Sequence, residues 1–263
     1  MKKEKIIGII PARYGSTRFP GKPLAEILGK PMIQWVYESA KKSKLLEEIY
    51  VATDDKRIMN VVKNFGGKAI MTSKDHKSGT DRIGEAVKKI KADIIVNIQG
   101  DEPLISAKDI DKAVKVLIDN KDINVSTLAT QFCNIDELYN ENKVKVVFDN
   151  NYNALYFSRS IIPFPKLILQ NYPKGKTKLL SNRSVNRIFL KNYYLHIGLY
   201  VYRREFLLKF INMKQSRLEK LEKLEQLRIL ENEEKIKIII SKNNSVSIDT
   251  PEDIKMILKK IKV

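Results

Sequence analysis

The first half of the chain alternates short apolar runs with segments of helical periodicity, and this alternation restricts the fold more than any other feature. The runs "KIIGII", "EIYVAT" and "ADIIVNI" have the length and branched side chains of buried strands. The segments "DKRIMNVVKNFG" and "TDRIGEAVKKI" have the apolar spacing of amphipathic helices. Strands joined through helices run parallel in one sheet. The sequence therefore predicts an α/β fold with a mostly parallel central sheet flanked by helices.

The middle of the chain has a different character, with more aromatic residues and a second set of strand-like runs. "VKVVFD" at 144–149, "ALYFSRS" and "YYLHIGLYVYRR" show the alternation and aromatic content of sheet strands. Residues 163–192 lie between the last two runs and are rich in proline, lysine and asparagine, so we expect a flexible excursion there. These features predict a smaller, mixed and β-rich lobe.

The C-terminal part is expected to return to helices with one further strand. A helix is predicted near 203–211, and another begins at Ser216, which is spaced from Glu219 as in a capping box. The charged segment "SRLEKLEKLEQLRILENEEK" has the pattern of a solvated helix face. After the strand "IKIIIS", Thr250 is suited to cap a terminal helix that would start at Pro251.

The loop after the first strand, within "IIPARYGSTRFPGKPL" at 9–24, combines cations with turn-forming residues. Arg13, Arg18 and Lys22 together with exposed loop amides would form a cradle for several phosphates at the carboxyl end of a strand. The loop is not a Walker A motif, because five residues separate Gly15 from Gly21 and proline follows the lysine. A basic surface loop with turn glycines is the alternative interpretation.

Two acidic residues far apart in sequence are candidates to complete such a site. "VNIQGDEP" places Asp101 and Glu102 after a predicted strand, and "SIDTPED" places Asp249 after another strand and before a helix cap. Carboxylates at the ends of two strands can hold Mg²⁺, which shares its remaining ligands with substrate phosphates and water. Each aspartate could instead cap nearby amides. The pair together with the basic loop favours a metal-dependent phosphate site.

The formal net charge of +18 invites a nucleic-acid-binding hypothesis. The lysines, however, are scattered along nearly every helix-like segment and often stand beside glutamates, which favours a solubilising surface. No apolar run approaches the length of a membrane span, and the single cysteine, Cys133, fits a reducing compartment. We expect a cytoplasmic protein without membrane insertion.

Eight motifs, in order, give the chain a resemblance to the 3-deoxy-manno-octulosonate (Kdo) cytidylyltransferases. They are "IIPARYGSTRFPGKPL", "SGTDR", "QGDEP", "VKVVFD", "ALYFSR", "HIGLYVYR", "LEQLR" and "DTPED", and they cover nearly the whole chain. The first motif alone would indicate only a sugar nucleotidyltransferase. The chain also resembles the wider group that includes acylneuraminate cytidylyltransferases. The resemblance implies a Rossmann-like fold, a homodimer, Mg²⁺ as cofactor, and the formation of CMP-Kdo and pyrophosphate from CTP and Kdo for lipopolysaccharide synthesis.

The resemblance also implies roles for individual residues. Arg13, Arg18 and Lys22 would contact the triphosphate, and Asp101 and Asp249 would hold the metal. The cytidine would be recognised by Ser78, Gly79 and Arg82. The sugar-acid pocket would be lined by Gln99, Arg159, His196, Tyr200, Glu225 and Gln226.

These pocket residues suit the chemistry of an acidic polyol. Arg159 can pair with a carboxylate through two hydrogen bonds, and the other side chains can donate to and accept from hydroxyl groups. Without the motifs, Arg159 could be a surface ion pair, His196 and Tyr200 satisfied core residues, and Glu225 and Gln226 solvated. His76 is interpreted as a surface residue.

The chain is expected to form one nucleotidyltransferase domain in three parts. Residues 1–132 would mainly bind the nucleotide, 133–215 would form the β-rich lobe that supports the sugar site and dimerisation, and 216–263 would return to the core with the second metal ligand. The alternatives are a cytidylyltransferase acting on 8-amino-Kdo or a sialic-type acid, and a non-catalytic basic protein that binds nucleic acid.

Overall fold

A computed structural model describes residues 3–15, 19–76, 78–164, 166, 190–243 and 247–261. The chain divides into two compact units. Unit 1 comprises 1–126, 198–212 and 243–263, and unit 2 comprises 127–197 and 213–242. Most of the predicted excursion at 163–192 lies outside the described residues. The expected division of one domain near 132 and 215 stays a prediction.

Unit 1 is built on a mostly parallel sheet, as the alternating sequence predicts. Its strands are β1 (Ile6–Ala12), β4 (Glu48–Thr53), β5 (Lys68–Met71) and β6 (Ile94–Asn97). Strand β1 pairs in parallel with β4 and β6, and β4 pairs in parallel with β5. The unit 1 part of β10 (Tyr194–Arg203) runs antiparallel to β6. The branched side chains of β1 and β6 are almost entirely buried, which explains why both strands are continuously apolar.

Helices flank this sheet. They are α1 (Met32–Ala40), α2 (Lys56–Asn64), α3 (Gly79–Lys88), α4 (Ala107–Asp119), α6 (Arg204–Phe210) and α9 (Asp253–Ile261). Helix α3 packs on β1 and β4, whereas α1 packs on β1 and α4. Between β1 and α1 the chain forms a short 3₁₀ helix (Lys22–Leu24) and a two-stranded antiparallel hairpin of β2 (Glu26–Ile27) and β3 (Lys30–Pro31). The α/β fold class is confirmed.

The described residues of unit 2 form antiparallel strands and three short helices. Strand β8 (Lys145–Phe148) pairs with β9 (Ala154–Ser158) and with the first part of β10. In the strand order, β7 (Val125–Gln131) lies between β10 and β11 (Ile236–Ile240). The helices are α5 (Ile135–Tyr139), α7 (Arg217–Glu222) and α8 (Leu227–Glu231). The predicted strands of this region are all present.

Three local expectations are corrected. The residues before Asp249, 247 and 248, form no strand; Ile248 instead donates its amide to the carbonyl of Asp101 at 2.9 Å and buries its side chain. The terminal helix begins at Asp253 rather than Pro251, because the Asp253 carboxylate accepts from the amides of Asp249 and Thr250. The charged segment from Ser216 is two helices, α7 and α8, separated by a turn in which Lys223 has φ 55°. Glu225 and Gln226 therefore lie in that turn and not on a helix face.

Within the described residues, no helix combines the length and the apolar character needed to cross a bilayer.

Candidate active site

A cavity of about 330 Å³ opens at the carboxyl ends of the parallel strands of unit 1. Because β1 and β6 are parallel neighbours, the loops that follow them meet at one edge of the sheet. Helix α3 contributes its N-terminus, and the segment before α9 contributes Asp249. The cavity is lined by Pro11, Ala12, Arg13, Lys22, Pro23, His76, Ser78, Gly79, Arg82, Gln99, Gly100, Asp101 and Asp249.

Lys22 brings the two predicted metal ligands together. Its Nζ lies 2.7 Å from Asp101 Oδ2 and 3.7 Å from Asp249 Oδ1, and it also donates to the carbonyl of Ile248 at 2.7 Å. The lysine side chain is mostly buried, whereas both carboxylates remain partly accessible from the cavity. The two aspartates, remote in sequence, therefore converge on one cation of the basic loop, Lys22.

The basic loop is closed at its base by Gly21. This glycine has φ 71°, a conformation that disfavours other residues, and its amide donates to the carbonyl of Tyr14 at 2.9 Å. The Arg57 guanidinium stacks on the Tyr14 ring with 3.4 Å between its carbon and the ring centroid. Arg13 is exposed at the cavity. Arg18 lies outside the described residues, so its predicted role is not addressed by the structure.

The N-terminus of α3 forms one wall through Ser78 and Gly79. The Ser78 hydroxyl accepts from the amide of Asp81 at 3.1 Å, and the Asp81 carboxylate accepts from the amide of Ser78, which is a complete capping box. The cap fixes the start of the helix. The positive end of the helix dipole at this wall favours negative charge.

Arg82 is buried and has partners that the sequence did not reveal. Its guanidinium donates to Asp54 at 2.9 Å, to the Thr72 hydroxyl at 2.6 Å and to the carbonyl of Ser73 at 3.2 Å. These contacts join the ends of β4 and β5 to α3. The buried cation thereby fixes the wall on which a base or ribose would rest.

Gln99 and Gly100 form the floor after β6. Gln99 Nε2 donates to Asn97 Oδ1 and to the carbonyl of Gly198, both at 3.2 Å. A Cβ atom on Gly100 would lie 2.9 Å from the carbonyl oxygen of Pro11, so only glycine allows the loop after β6 to approach the end of β1 this closely.

His76 is a cavity residue that the sequence interpretation missed. Its Nε2 lies 2.7 Å from Glu85 Oε2, and it lines the cavity next to Ser78. Lys89 holds the pKa of Glu85 low, at about 2, with help from the Ser73 amide and His76. A signal was available, because His76 stands two residues before the "SGTDR" motif.

The donor set at Asp101 and Asp249 fits Mg²⁺. It offers hard oxygen atoms that already surround a positive charge, that of Lys22. No group of three or more His, Cys, Asp or Glu side chains able to hold a metal occurs among the described residues. Two carboxylates alone suit an ion that takes its other ligands from substrate phosphates and water.

The residues predicted to bind the sugar acid are distributed over both units. Gln99 and Tyr200 belong to unit 1, and Tyr200 is buried and stacks on Tyr202. Arg159, His196, Glu225 and Gln226 belong to unit 2. Both Glu225 and Gln226 lie in the turn before α8, where Gln226, the N-cap of that helix, is buried and Glu225 is half-buried.

Arg159 follows β9 and is held mainly by backbone carbonyl groups. Its Nε donates to the carbonyl of Glu222 at 2.8 Å and its Nη1 to that of Glu141 at 3.1 Å. Its own amide donates to Glu222 Oε2 at 3.0 Å. Carbonyl partners orient a guanidinium without neutralising it, which leaves the charge for an anion.

His196 lies on β10 with its Nε2 3.1 Å from the Thr127 hydroxyl and its ring edge-on to Phe157. Burial lowers the pKa of His196 to about 3. The neutral imidazole can therefore exchange hydrogen bonds with a hydroxyl group but does not supply a charge near neutral pH.

A mostly parallel sheet with a basic loop and two convergent aspartates at its carboxyl edge is the arrangement expected of a nucleotidyltransferase. The comparison with protein families is more specific: the cytidylyltransferase family model matches residues 7–236. The chain belongs to the cytidylyltransferase family, and the resemblance noted from the motifs is confirmed.

Several relatives match over nearly their whole length. A 3-deoxy-manno-octulosonate cytidylyltransferase of Thermodesulfovibrio yellowstonii is 49% identical over 95% of both chains. One of Fusobacterium nucleatum is 46% identical over 98% of this chain and 97% of its own. An 8-amino-3,8-dideoxy-manno-octulosonate cytidylyltransferase of a Shewanella species is 48% identical over 95% of both. The solved structure of CMP:2-keto-3-deoxy-manno-octonic acid synthetase complexed with CTP matches with a TM-score of 0.85, 39% identity and 98% coverage of both chains.

Proposed function

We propose that this protein transfers CMP from CTP to Kdo, releasing pyrophosphate and forming CMP-Kdo for lipopolysaccharide assembly in the cytoplasm. The observation that carries the proposal is the convergence of Asp101 and Asp249 on Lys22 beside the basic loop. The 46–49% identity to Kdo cytidylyltransferases supports the acceptor.

In the proposed reaction the anomeric hydroxyl oxygen of Kdo bonds to the α-phosphorus of CTP. The bond from that phosphorus to the bridging oxygen breaks, pyrophosphate leaves with its electron pair, and the hydroxyl proton passes to solvent. Such transfers depend on positioning and charge neutralisation, so no nucleophilic serine or cysteine is needed. Bound Mg²⁺, held by Asp101 and Asp249, would supply further neutralisation of phosphate charge.

The chain's own residues divide the work. Arg13, Arg18 and Lys22 would receive the triphosphate, and the Lys22 ammonium would exchange a carboxylate contact for a phosphate contact. The α3 N-terminus at Ser78 and Gly79, together with the wall fixed by Arg82, would hold the cytidine. His76 lies on the same wall, and we add it to the nucleotide-binding residues.

We propose that Arg159 binds the Kdo carboxylate and that Gln99, His196, Tyr200, Glu225 and Gln226 bind its hydroxyl groups. The uncompensated guanidinium of Arg159 supports this role, as does the neutral state of His196. The Shewanella relative makes 8-amino-Kdo the second candidate acceptor.

The deciding experiment measures pyrophosphate release from CTP with Kdo, 8-amino-Kdo or N-acetylneuraminate, with and without Mg²⁺, and with UTP in place of CTP. We expect turnover with CTP and Kdo only when Mg²⁺ is present. Asp101→Asn should lower kcat by about 100-fold or more, because one carboxylate oxygen of the metal site is lost. Exposed Asp119→Asn is the matched control and should retain wild-type kcat.

Other outcomes would redirect or end the proposal. Preference for an alternative acceptor would change the substrate but keep the reaction. Full activity of Asp101→Asn would remove the metal assignment. Indifference to CTP, with tight and strongly salt-dependent binding to DNA or RNA, would favour the nucleic-acid-binding alternative.

A further inference from the structure

Unit 2 contains a fully buried lysine that the proposed reaction does not use. Lys145 opens β8 with no exposed surface, and its Nζ donates to the backbone carbonyls of Asn140 and Arg159, both at 2.8 Å. No carboxylate of the described residues forms an ion pair with it. Burial, and secondarily the charge of Arg159, lowers the pKa of Lys145. Burying an amine with only carbonyl partners is costly, so a specific role should offset that cost.

The position of Lys145 in the sheet points to that role. Lys145 pairs in register with Ser158 of β9, the residue before Arg159, and with Leu195 of β10, the residue before His196. The amide of His196 donates to the carbonyl of Val144 at 2.8 Å. The start of β8 therefore binds the main chain next to Arg159 and His196, two of the four candidate sugar-binding residues of this unit.

Arg159 is fixed from two sides. On one side, the Glu222 carboxylate accepts from the Arg159 amide and the Glu222 backbone carbonyl accepts from Arg159 Nε. On the other side, Lys145 donates to the carbonyl of Arg159. Glu222 Oε1 also accepts from the Ser158 hydroxyl at 2.6 Å, so the end of β9 is anchored through both residues. With methionine in place of Lys145, the partly buried carbonyl of Arg159 would lose this donor, and the chain beyond β9 would be free to turn toward another one.

We propose that Lys145 is a positioning residue for the acidic sugar: its ammonium holds the Arg159 main chain so that the guanidinium points at the ligand carboxylate. This inference rests on the proposed function through the role of Arg159. It assigns Lys145 a part in recognising the sugar acid and no part in binding the nucleotide.

The test is a double-mutant cycle of Lys145→Met and Arg159→Met, with KM for Kdo, KM for CTP and kcat measured for each variant. Lys145→Met should raise KM for Kdo about tenfold, equivalent to a coupling of roughly 1.4 kcal/mol, and leave KM for CTP unchanged. In the Arg159→Met background, Lys145→Met should have little further effect on KM for Kdo. Lys237→Met is the matched control, because Lys237 also donates to a backbone carbonyl, that of Asn151, in the same unit.

The outcomes separate the inference from the proposed function. If Arg159→Met leaves KM for Kdo unchanged, the carboxylate assignment of the proposed function fails. If Arg159→Met raises KM for Kdo and Lys145→Met does not, only the inference is overturned. The same holds if the effects of the two substitutions on KM for Kdo are additive in the double variant. A purely structural lysine would lower the unfolding temperature and change both KM values alike. Lys145→Gln, which keeps amide donors, replaces the methionine variant if that variant does not fold, and the same non-additivity is expected.

Discussion

His196 owes its chemistry to its surroundings rather than to its residue type. An unperturbed histidine changes charge near pH 6.5, but burial against Phe157 and Thr127 keeps this one neutral down to about pH 3. Arg82 is a second example at the scale of residues: its ion pair with Asp54 holds the guanidinium in place in the wall of the cavity. For both residues the motif indicates importance, and only the contacts define the role.

The low pKa of His196 predicts an acid-sensitive fold. Between pH 6.5 and about 3 the unfolded chain binds a proton at this residue and the folded chain does not, so stability falls as pH falls below 6.5. Between pH 6.5 and pH 5 the contribution of His196 should lower the free energy of unfolding by about 2 kcal/mol. Urea unfolding at several pH values should show a shallower slope for His196→Gln. Equal slopes for wild type and His196→Gln would contradict the assignment.

At the scale of elements, α7 and α8 are held together by a buried ion pair. Arg228 Nε and Nη2 each donate to Glu219 at 2.8 Å, and both side chains are nearly inaccessible. Arg228 Nη1 also donates to the carbonyl of Met213 at 2.9 Å. The pair fixes the turn that carries Glu225 and Gln226, so a segment that reads as a solvated helix contains a buried charged centre.

Breaking this pair should destabilise the protein strongly. Arg228→Met leaves the Glu219 carboxylate buried without its cation, which should lower the free energy of unfolding by about 3 kcal/mol. The double variant Glu219→Gln/Arg228→Met should recover part of that loss, because no buried charge remains. Chemical unfolding measures both, with exposed Arg217→Met on α7 as the control. A loss no larger than that of Arg217→Met would show that the pair contributes little.

At the scale of the whole molecule, charge and apolar exposure are the features to explain. Several of the lysines that produce the +18 net charge are paired with nearby acids, as Lys68 and Lys5 are with Glu48, whose pKa they hold at about 2. Among the described residues, exposed large apolar side chains are concentrated in unit 2. They are Tyr139, Tyr152, Leu155, Phe164 and Leu221, with Leu28 in unit 1.

We propose that a second copy of the chain covers part of this apolar surface, as the predicted homodimer requires. Light scattering should give a mass twice the 30.4 kDa of one chain. Leu155→Lys should shift the equilibrium to monomer, because a charge would be buried in the interface, whereas Leu28→Lys should not. A monomeric wild type at all concentrations would end the homodimer proposal, and dissociation by Leu28→Lys alone would place the interface in unit 1.

The sequence determined the features that depend on local periodicity and on short motifs. The α/β class follows from the alternation of apolar runs and helical segments, and the hydrogen bond from the Ser216 amide to Glu219 joins residues only three apart. The basic loop and Asp101 could be singled out as candidates because each follows a strand. Local free energies of this kind act over a few residues, so a linear pattern is enough to predict them.

Tertiary structure decided which side chains contact each other and which are shielded from water. Four features of the structure either bring together residues that are distant in sequence or change the solvation of one residue. They are the convergence of Asp101 and Asp249 on Lys22, the Arg82–Asp54 ion pair, the position of His76 in the cavity and the burial of Lys145. Electrostatic energy depends on distance through space and on exclusion of water, and the order of residues in the sequence does not give either quantity. The same lysine type is a solvated surface charge at Lys220 and a buried donor at Lys145 only because of where the fold places it.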